Sequence, residues 1–283
     1  MLSGYVATVV ITIGIYVLLS ISLNIITGYA GQISLGHAAF FGIGAYTTAL
    51  ITTKGNLAYW PAMILAILIT AAIGAILAIP CLRVQEDFLA ITTMGINFVV
   101  QAIFQYVEFF GGAMGIGGIP TFSKDTFLVM IAVSISLVIF LDQWLIRSWL
   151  GLALESVRED ELAASVMGVN IPRFKVIAFT IGTGIAGLAG AIYASFMSFI
   201  SAGDFGFSGS IVILSMVVLG GIGTLRGAII GAIILGAAPE LFRPIMEYRT
   251  LIYGLLLVFM MRFQPSGLLG KESFLWRRLT QRK

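Results

Sequence analysis

Three groups of side chains in this chain could do chemistry, and all three are polar groups set in or beside long apolar runs. The first lies in ITTMGINFVVQAIFQY (91–106), which carries Thr92, Thr93, Asn97, Gln101 and Gln105. Asn97, Gln101 and Gln105 follow i, i+4, i+8 and so share one helix face. In hydrocarbon a polar stripe must face protein or a water-filled cavity. It either lines a path for a polar solute or hydrogen-bonds a neighbouring helix. The second group is in GYAGQISLGHAAFFGIGAYTTALI (28–51), where Gln32, Ser34 and His37 stand among glycines at a membrane entry. A freed helix N-terminus there would attract an anionic group such as a carboxylate. The same residues also suit a plain helix start capped by Ser34. The third group is RSWLGLALESVREDELAASVMGVNIPRFK (147–175). Glu159, Asp160 and Glu161 suit a helix N-terminus, Leu162, Val166 and Val169 recur at helical spacing, and Pro172, preceded by Asn170, ends the pattern. This reads as a short amphipathic helix lying off the membrane. Its acidic first turn opposes adsorption to the negative cytoplasmic leaflet, so a protein groove is the better partner.

Covalent chemistry has no anchor in the sequence. There is no G-x-x-x-x-G-K-[ST], no HExxH, no GxSxG and no Cys/His metal spacing. The glycine-rich FFGGAMGIGGIPTF (109–122) has no Lys-Ser/Thr after it, so it is not a phosphate loop. A single cysteine, Cys81, excludes an intramolecular disulfide. His37 is the only histidine and cannot build a histidine metal site. No metal and no cofactor is expected in this chain.

The elements that must position these groups are membrane spans. Of 283 residues, 59% are hydrophobic and 10% charged, against about 25% charged in soluble domains. A soluble core cannot absorb that apolar surface, so the bilayer must be the solvent. The net charge of +3 forms no basic stripe, which argues against nucleic acid. The start, MLSGYVATVV, lacks a basic region and runs on too long for a cleavable signal. Spans are expected at 5–27, 35–53, 60–82, 88–108, 126–147, 175–200, 208–222, 226–242 and 249–263, each near the about 20 residues a crossing requires. The seventh and eighth are short and glycine-broken and could instead form a re-entrant pair. The expected fold is an all-α polytopic membrane protein of about 8–10 helices, best taken as nine, in one domain over 1–283. Arg147, Arg158, Arg173 and Lys175, and Lys271, Arg277, Arg278, Arg282 and Lys283, place the 148–174 loop and the 264–283 tail in the cytoplasm. The N-terminus is then outside. No span carries a charged residue at mid-depth, which lowers the case for a proton relay.

Glycine is abundant, at 33 residues. Gly182, Ala186 and Gly190 form a small-xxx-small face, and Gly223, Gly227 and Gly231 another, so close helix packing is expected there rather than substrate contact. The segments 28–46 and 220–235 are both glycine-dense and hydroxyl-bearing and each precedes a span. Interrupted segments at matching positions of two halves can mark a transport pathway.

ELAASVMGVNIP resembles the EAA loop of ABC importer permeases, through Glu161, Ala163, Ala164, Gly168, Ile171 and Pro172, with Leu162 departing at the first alanine. GYAGQISLGHAAFFGIGAYTTALI, QEDFLAITTMG, GGAMGIGGIP, VVLGGIGTLRGAIIGA and LIYGLLLVFMMRFQPSGLLG are similar to the LivM-type permeases of branched-chain amino acid importers, over nearly the whole chain. That resemblance implies the ABC importer permease fold with a cytoplasmic coupling helix. It implies a sister permease, two cytoplasmic ATPases that use the ATP, an extracytoplasmic solute-binding protein, and a bacterial or archaeal inner membrane. Its substrates would be leucine, isoleucine and valine. Relatives of the same shape handle urea or short amides. A different class, a stand-alone ion-coupled carrier, would show uptake that collapses with a protonophore yet survives ATP depletion. A membrane enzyme would need a catalytic constellation that is not visible. The pathway candidates remain Gln32, Ser34, His37, Asn97 and Gln101.

Overall fold

Apolar runs punctuated by Gly, Ser and Pro fold into ten helices among the described residues of the computed structural model, which are 4–81, 86–241, 251, 254–255, 258–259, 262 and 267–269. They are α1 (Gly4–Leu23, continued by a π-helical turn Asn24–Tyr29), α2 (His37–Thr53), α3 (Tyr59–Cys81), α4 (Glu86–Tyr106), α5 (Lys124–Arg147), α6 (Trp149–Glu159), α7 (Glu161–Val166), α8 (Ile171–Met197), α9 (Phe207–Gly220) and α10 (Leu225–Leu241). Two short strands, β1 (Ile116–Gly117) and β2 (Phe199–Ile200), pair antiparallel with Ile116 opposite Ile200.

Six segments are long and apolar enough to cross a bilayer: Gly4–Tyr29, Tyr59–Cys81, Phe88–Tyr106, Lys124–Arg147, Ile171–Met197 and Ala202–Gly220. They match six of the nine expected spans. The 35–53 span is α2, whose 17 residues reach roughly 26 Å at 1.5 Å each, short of the hydrocarbon thickness. The 226–242 span is α10, also 17 residues. The 249–263 span and the 264–283 tail fall largely outside the described residues.

α8 is the centre of the bundle. It packs on α1, α2 and α3 through faces that have no side chain in the way. A Cβ added to Gly190 would stand 2.7 Å from the Ala45 amide nitrogen, and one added to Gly187 would stand 2.7 Å from Thr70 Cβ. Gly182 meets Ile26 in the same manner. The small-residue face of α8 is therefore a packing face. The α9–α10 hairpin is closed similarly, with a Cβ on Gly231 falling 2.9 Å from the Gly220 amide. Around this centre α3, α4 and α5 turn Ile64, Leu68, Ile76, Val99, Val133, Leu137 and Phe140 outward, as helices facing lipid do.

The charged residues divide between two ends. At one, Lys124 Nζ donates to the Gly4 carbonyl (2.6 Å) and Lys54 Nζ to the Phe109 carbonyl (2.7 Å). Tyr59, at the start of α3, stacks edge-on against Phe122 just ahead of α5. At the other end lie Arg147, Arg158, Arg173 and the α6–α7 pair. Asp142, one turn inside the end of α5, is fully buried and accepts from the Tyr29 hydroxyl (3.1 Å).

Candidate functional site

Two helical breaks meet inside the bundle. After the π turn of α1, residues 30–36 leave helical geometry at Gly31 (φ +70°), and α2 restarts at His37 behind Gly36. After α8 the chain turns at Ser198 (φ +61°), and β2 and a 3₁₀ turn (Ala202–Phe205) lead back inward to α9. Asp204 closes that turn as a capping box with Ser201. Phe205 then packs against Phe41 and Tyr46 of α2, at 5.1 and 5.8 Å between ring centroids. Both helices entered from these breaks, α2 and α9, thus begin within the bundle.

Their starts are tied together. The Ala38 amide, in the first turn of α2, donates to Ser210 Oγ of α9 at 3.0 Å. This corrects the expectation that Ser34 caps α2. The Ser34 hydroxyl accepts from the Gly36 amide at 3.4 Å, ahead of the helix, and the cap comes from α9. Removing the hydroxyl in Ser210→Ala strands a buried amide, which costs about 1–3 kcal/mol. The expected result is a lower thermal midpoint in detergent, with Ser208→Ala, exposed two residues earlier, leaving it unchanged.

The polar stripe of α4 runs along both breaks. Thr93 Oγ1 accepts from the Leu35 amide at 3.0 Å, and Asn97 Nδ2 donates to the Phe205 carbonyl at 3.2 Å. Gln101 lies beside Gly206, with Nε2 3.3 Å from where a Cβ would stand. The stripe that does this is Thr93, Asn97 and Gln101, one turn earlier than the expected Asn97, Gln101 and Gln105, because Gln105 is exposed. Ser34, Asn97 and Gln101 are brought to the breaks. Gln32 lies within the first break, and His37 opens α2 just after it. His37 is fully buried with Nε2 2.6 Å from Ser22 Oγ of α1, and Gln32 is buried beside Thr27, which donates to its carbonyl. Gln32 Oε1, His37 Nδ1 and Asn97 Oδ1 have no partner among the described residues.

At the basic end, the expected single amphipathic helix is two. Glu159 closes α6, and Asp160 caps α7, its carboxylate accepting from the Ala163 amide at 3.0 Å. Pro172 does not end this element. Asn170 caps the next helix by accepting from the Arg173 amide, and Pro172 opens α8, where its missing N–H costs nothing. α7 ends instead at Gly168 (φ +84°). Ala164 is its buried contact, while Leu162, Val166 and Met167 stand 81%, 86% and 83% exposed. Val169, expected on that face, is turned toward the core. Glu161 forms an ion pair with Lys175 of α8. Trp149 of α6 sits edge-on to Phe174, 5.4 Å between centroids. Sequence reasoning missed Ser210 and the partners of Thr93 and Glu161, since each pairing joins residues of different elements.

An all-helical, multi-pass bundle with two interrupted helices and a helix pair held outside it defines the class of a membrane transport permease. Residues 5–261 match the model of the family described as branched-chain amino acid transport system / permease component. The chain is 36% identical over 287 residues to the high-affinity branched-chain amino acid transport system permease protein LivM of Salmonella typhimurium (strain LT2), covering 90% of this chain and 68% of that protein. The LivM protein of Escherichia coli (strain K12) gives the same identity and coverage. The corresponding LivH protein of Salmonella typhimurium is 27% identical over 292 residues, covering 91% of this chain and 92% of that one. No solved structure matches. The chain belongs to the family of branched-chain amino acid transport system permease components, and it is a permease subunit of an ABC importer.

Proposed function

We propose that this subunit conducts leucine, isoleucine and valine, or closely related small polar solutes, into the cytoplasm, as one half of a permease pair driven by partner ATPases. The observation that carries this is α7. A six-residue helix is capped, ion-paired to α8, and left with Leu162, Val166 and Met167 exposed. Exposed apolar anchors at helical spacing fit a protein groove. Glu161, Ala163, Ala164, Gly168, Ile171 and Pro172 form the ATPase-coupling loop, within the cytoplasmic segment 148–174. The sequence carries no G-x-x-x-x-G-K-[ST] motif, and the ATP is used by two cytoplasmic subunits. A sister permease completes the path, and an extracytoplasmic binding protein delivers the solute. The bundle sits in a bacterial or archaeal inner membrane with nine spans, its N-terminus outside and the 264–283 tail in the cytoplasm. Ser34, Asn97 and Gln101 line the path at the two breaks, and Gln32 and His37 hold the first break from behind. Interrupted helices are where carriers place polar solutes at membrane depth. Binding there is weak, since conduction requires that the solute leave again.

Purification of the tagged chain from native membranes in mild detergent, with stoichiometry by mass spectrometry, tests the assembly. Recovery with a second permease and two P-loop ATPases supports it. Recovery alone, or as a homo-oligomer in several detergents, points to a self-contained ion-coupled carrier. Asn97→Leu separates the path from packing. It releases the Phe205 carbonyl, and uptake is expected to fall by about 5- to 150-fold, from the 1–3 kcal/mol attached to a stranded buried polar group, while the complex still assembles. Loss of assembly would make the stripe a packing device.

A further inference from the structure

We propose that a cavity at the Arg147/Arg158 end of the bundle binds a phosphate group, supplied by the headgroup of an anionic phospholipid. The cavity, of about 420 Å³, lies between the end of α5, α6 and the start of α10. Its charged and polar lining includes Arg147, Arg158, Arg226, Thr224, Tyr29 and Glu155. Among the described residues, Arg147 and Arg158 bring two guanidinium groups to this lining. Neither Arg147 nor Arg158 has an acidic partner among the described residues. The nearby Asp142 is turned to Tyr29 and does not line the cavity.

The cavity is shaped around Arg158. Its side chain crosses Gly31 and Gly223, both in left-handed backbone (φ +70° and +80°), and a Cβ on Gly223 would strike its guanidinium group. Thr224 and Arg226 flank the start of the 17-residue α10, so the positive end of that helix adds to the same field. Guanidinium groups recognise phosphate oxygens in pairs. One further observation and the proposed orientation favour a lipid as the source. Trp144 and Trp149 are exposed at this end, and exposed tryptophans mark headgroup depth. On the proposed orientation, on which this step rests, the cavity opens to the anionic cytoplasmic leaflet, where basic pockets between spans take lipid headgroups. A bound phosphate would bridge α6 to α10 and so tie the coupling element to the spans.

The test uses the intact assembly, freed of native lipid and titrated with dihexanoyl phosphatidylglycerol, dihexanoyl phosphatidylcholine or inorganic phosphate, with bound molecules counted by native mass spectrometry. Phosphatidylglycerol is expected to be retained in preference to phosphatidylcholine. The double variant Arg147→Gln/Arg158→Gln should weaken it by about 30-fold, about fivefold for each arginine near an anionic group. Lys54→Gln/Lys124→Gln, at the opposite end, should not. Inorganic phosphate that binds as tightly as the lipid keeps the phosphate site and makes its source soluble. Displacement of the lipid by phosphate in the wild type keeps the test decisive should the arginine variant fail to assemble. Equal retention of both lipids, unaffected by phosphate or by the arginine substitutions, would overturn the site. The same spectra show whether ATPases are present, so a failure of the importer reading appears as missing subunits and leaves the lipid count to judge the cavity.

Discussion

Gly168→Trp is expected to cut solute uptake by the assembled importer at least about 30-fold while leaving the membrane bundle folded. Gly168 closes the turn after α7. The Met167, Gly168 and Val169 amides bond back to Ala163, Ser165 and Ala164 at 3.0–3.1 Å, and the backbone takes φ +84°. A side chain in that conformation costs about 1–2 kcal/mol, too little to unfold the spans. Among the described residues nothing lies within 4 Å of where its Cβ would stand, so a side chain can begin there without a clash. The indole would then stand beside the exposed face of Leu162, Val166 and Met167. If that face seats in an ATPase groove, the indole holds the two proteins apart, and loss of central anchors costs on the order of 2–4 kcal/mol. Uptake into proteoliposomes with internal ATP measures the effect, and circular dichroism checks the helices. Gly168→Asn is the control, since Asn tolerates left-handed backbone, and its uptake should stay within a few-fold of wild type. Wild-type uptake by Gly168→Trp would remove the coupling role from this turn.

What the sequence disclosed follows from how local each cue is. A bilayer demands about 20 apolar residues per crossing, so Tyr59–Cys81, Lys124–Arg147 and Ile171–Met197 emerged within a few residues of their observed bounds. Gly182 and Gly190 revealed a packing face because small residues at i, i+4 have a specific use between helices. Cues that depend on a distant partner did not emerge. Ser34 carries the residue type of a cap, yet the hydroxyl that caps α2 belongs to Ser210, 172 positions away. Asn97 was legible as a polar residue in a span, but its acceptor, the Phe205 carbonyl, sits 108 positions on. Pro172 shows two rules in competition. Proline both follows helices and opens them, and with Asn170 able to cap the helix ahead, the second rule prevails. Gln105 shares the face by spacing but is exposed, one residue before α4 ends at Tyr106.

The second large effect concerns Glu161, whose carboxylate turns inward to Lys175 on α8. Lys175 is buried and Glu161 partly so. The glutamate therefore fastens α7 to the central helix of the bundle, and a push on α7 reaches α8, and through it α1, α2 and α3, without an intervening loop. Glu161→Lys sets two ammonium groups together and also removes an acidic group from the first turn of α7, which alone is worth about 0.3–1 kcal/mol. Breaking a fully buried ion pair costs about 3–5 kcal/mol, and partial exposure of Glu161 lowers this to roughly 2, equivalent to about a 30-fold loss of uptake. Lys175→Glu alone should do the same by opposing two carboxylates. The combined Glu161→Lys/Lys175→Glu restores the pair in reverse and should recover uptake to within about fivefold of wild type, the remainder reflecting the helix dipole. The two residues touch, so their effects should not add, and the double-mutant cycle isolates the pair itself. If the swap is as inactive as either single variant, the Glu161–Lys175 tether is not the transmitting contact. On the proposed reading Glu161 would then face the partner ATPase, and a second cycle between Glu161 and basic residues of that ATPase would test this.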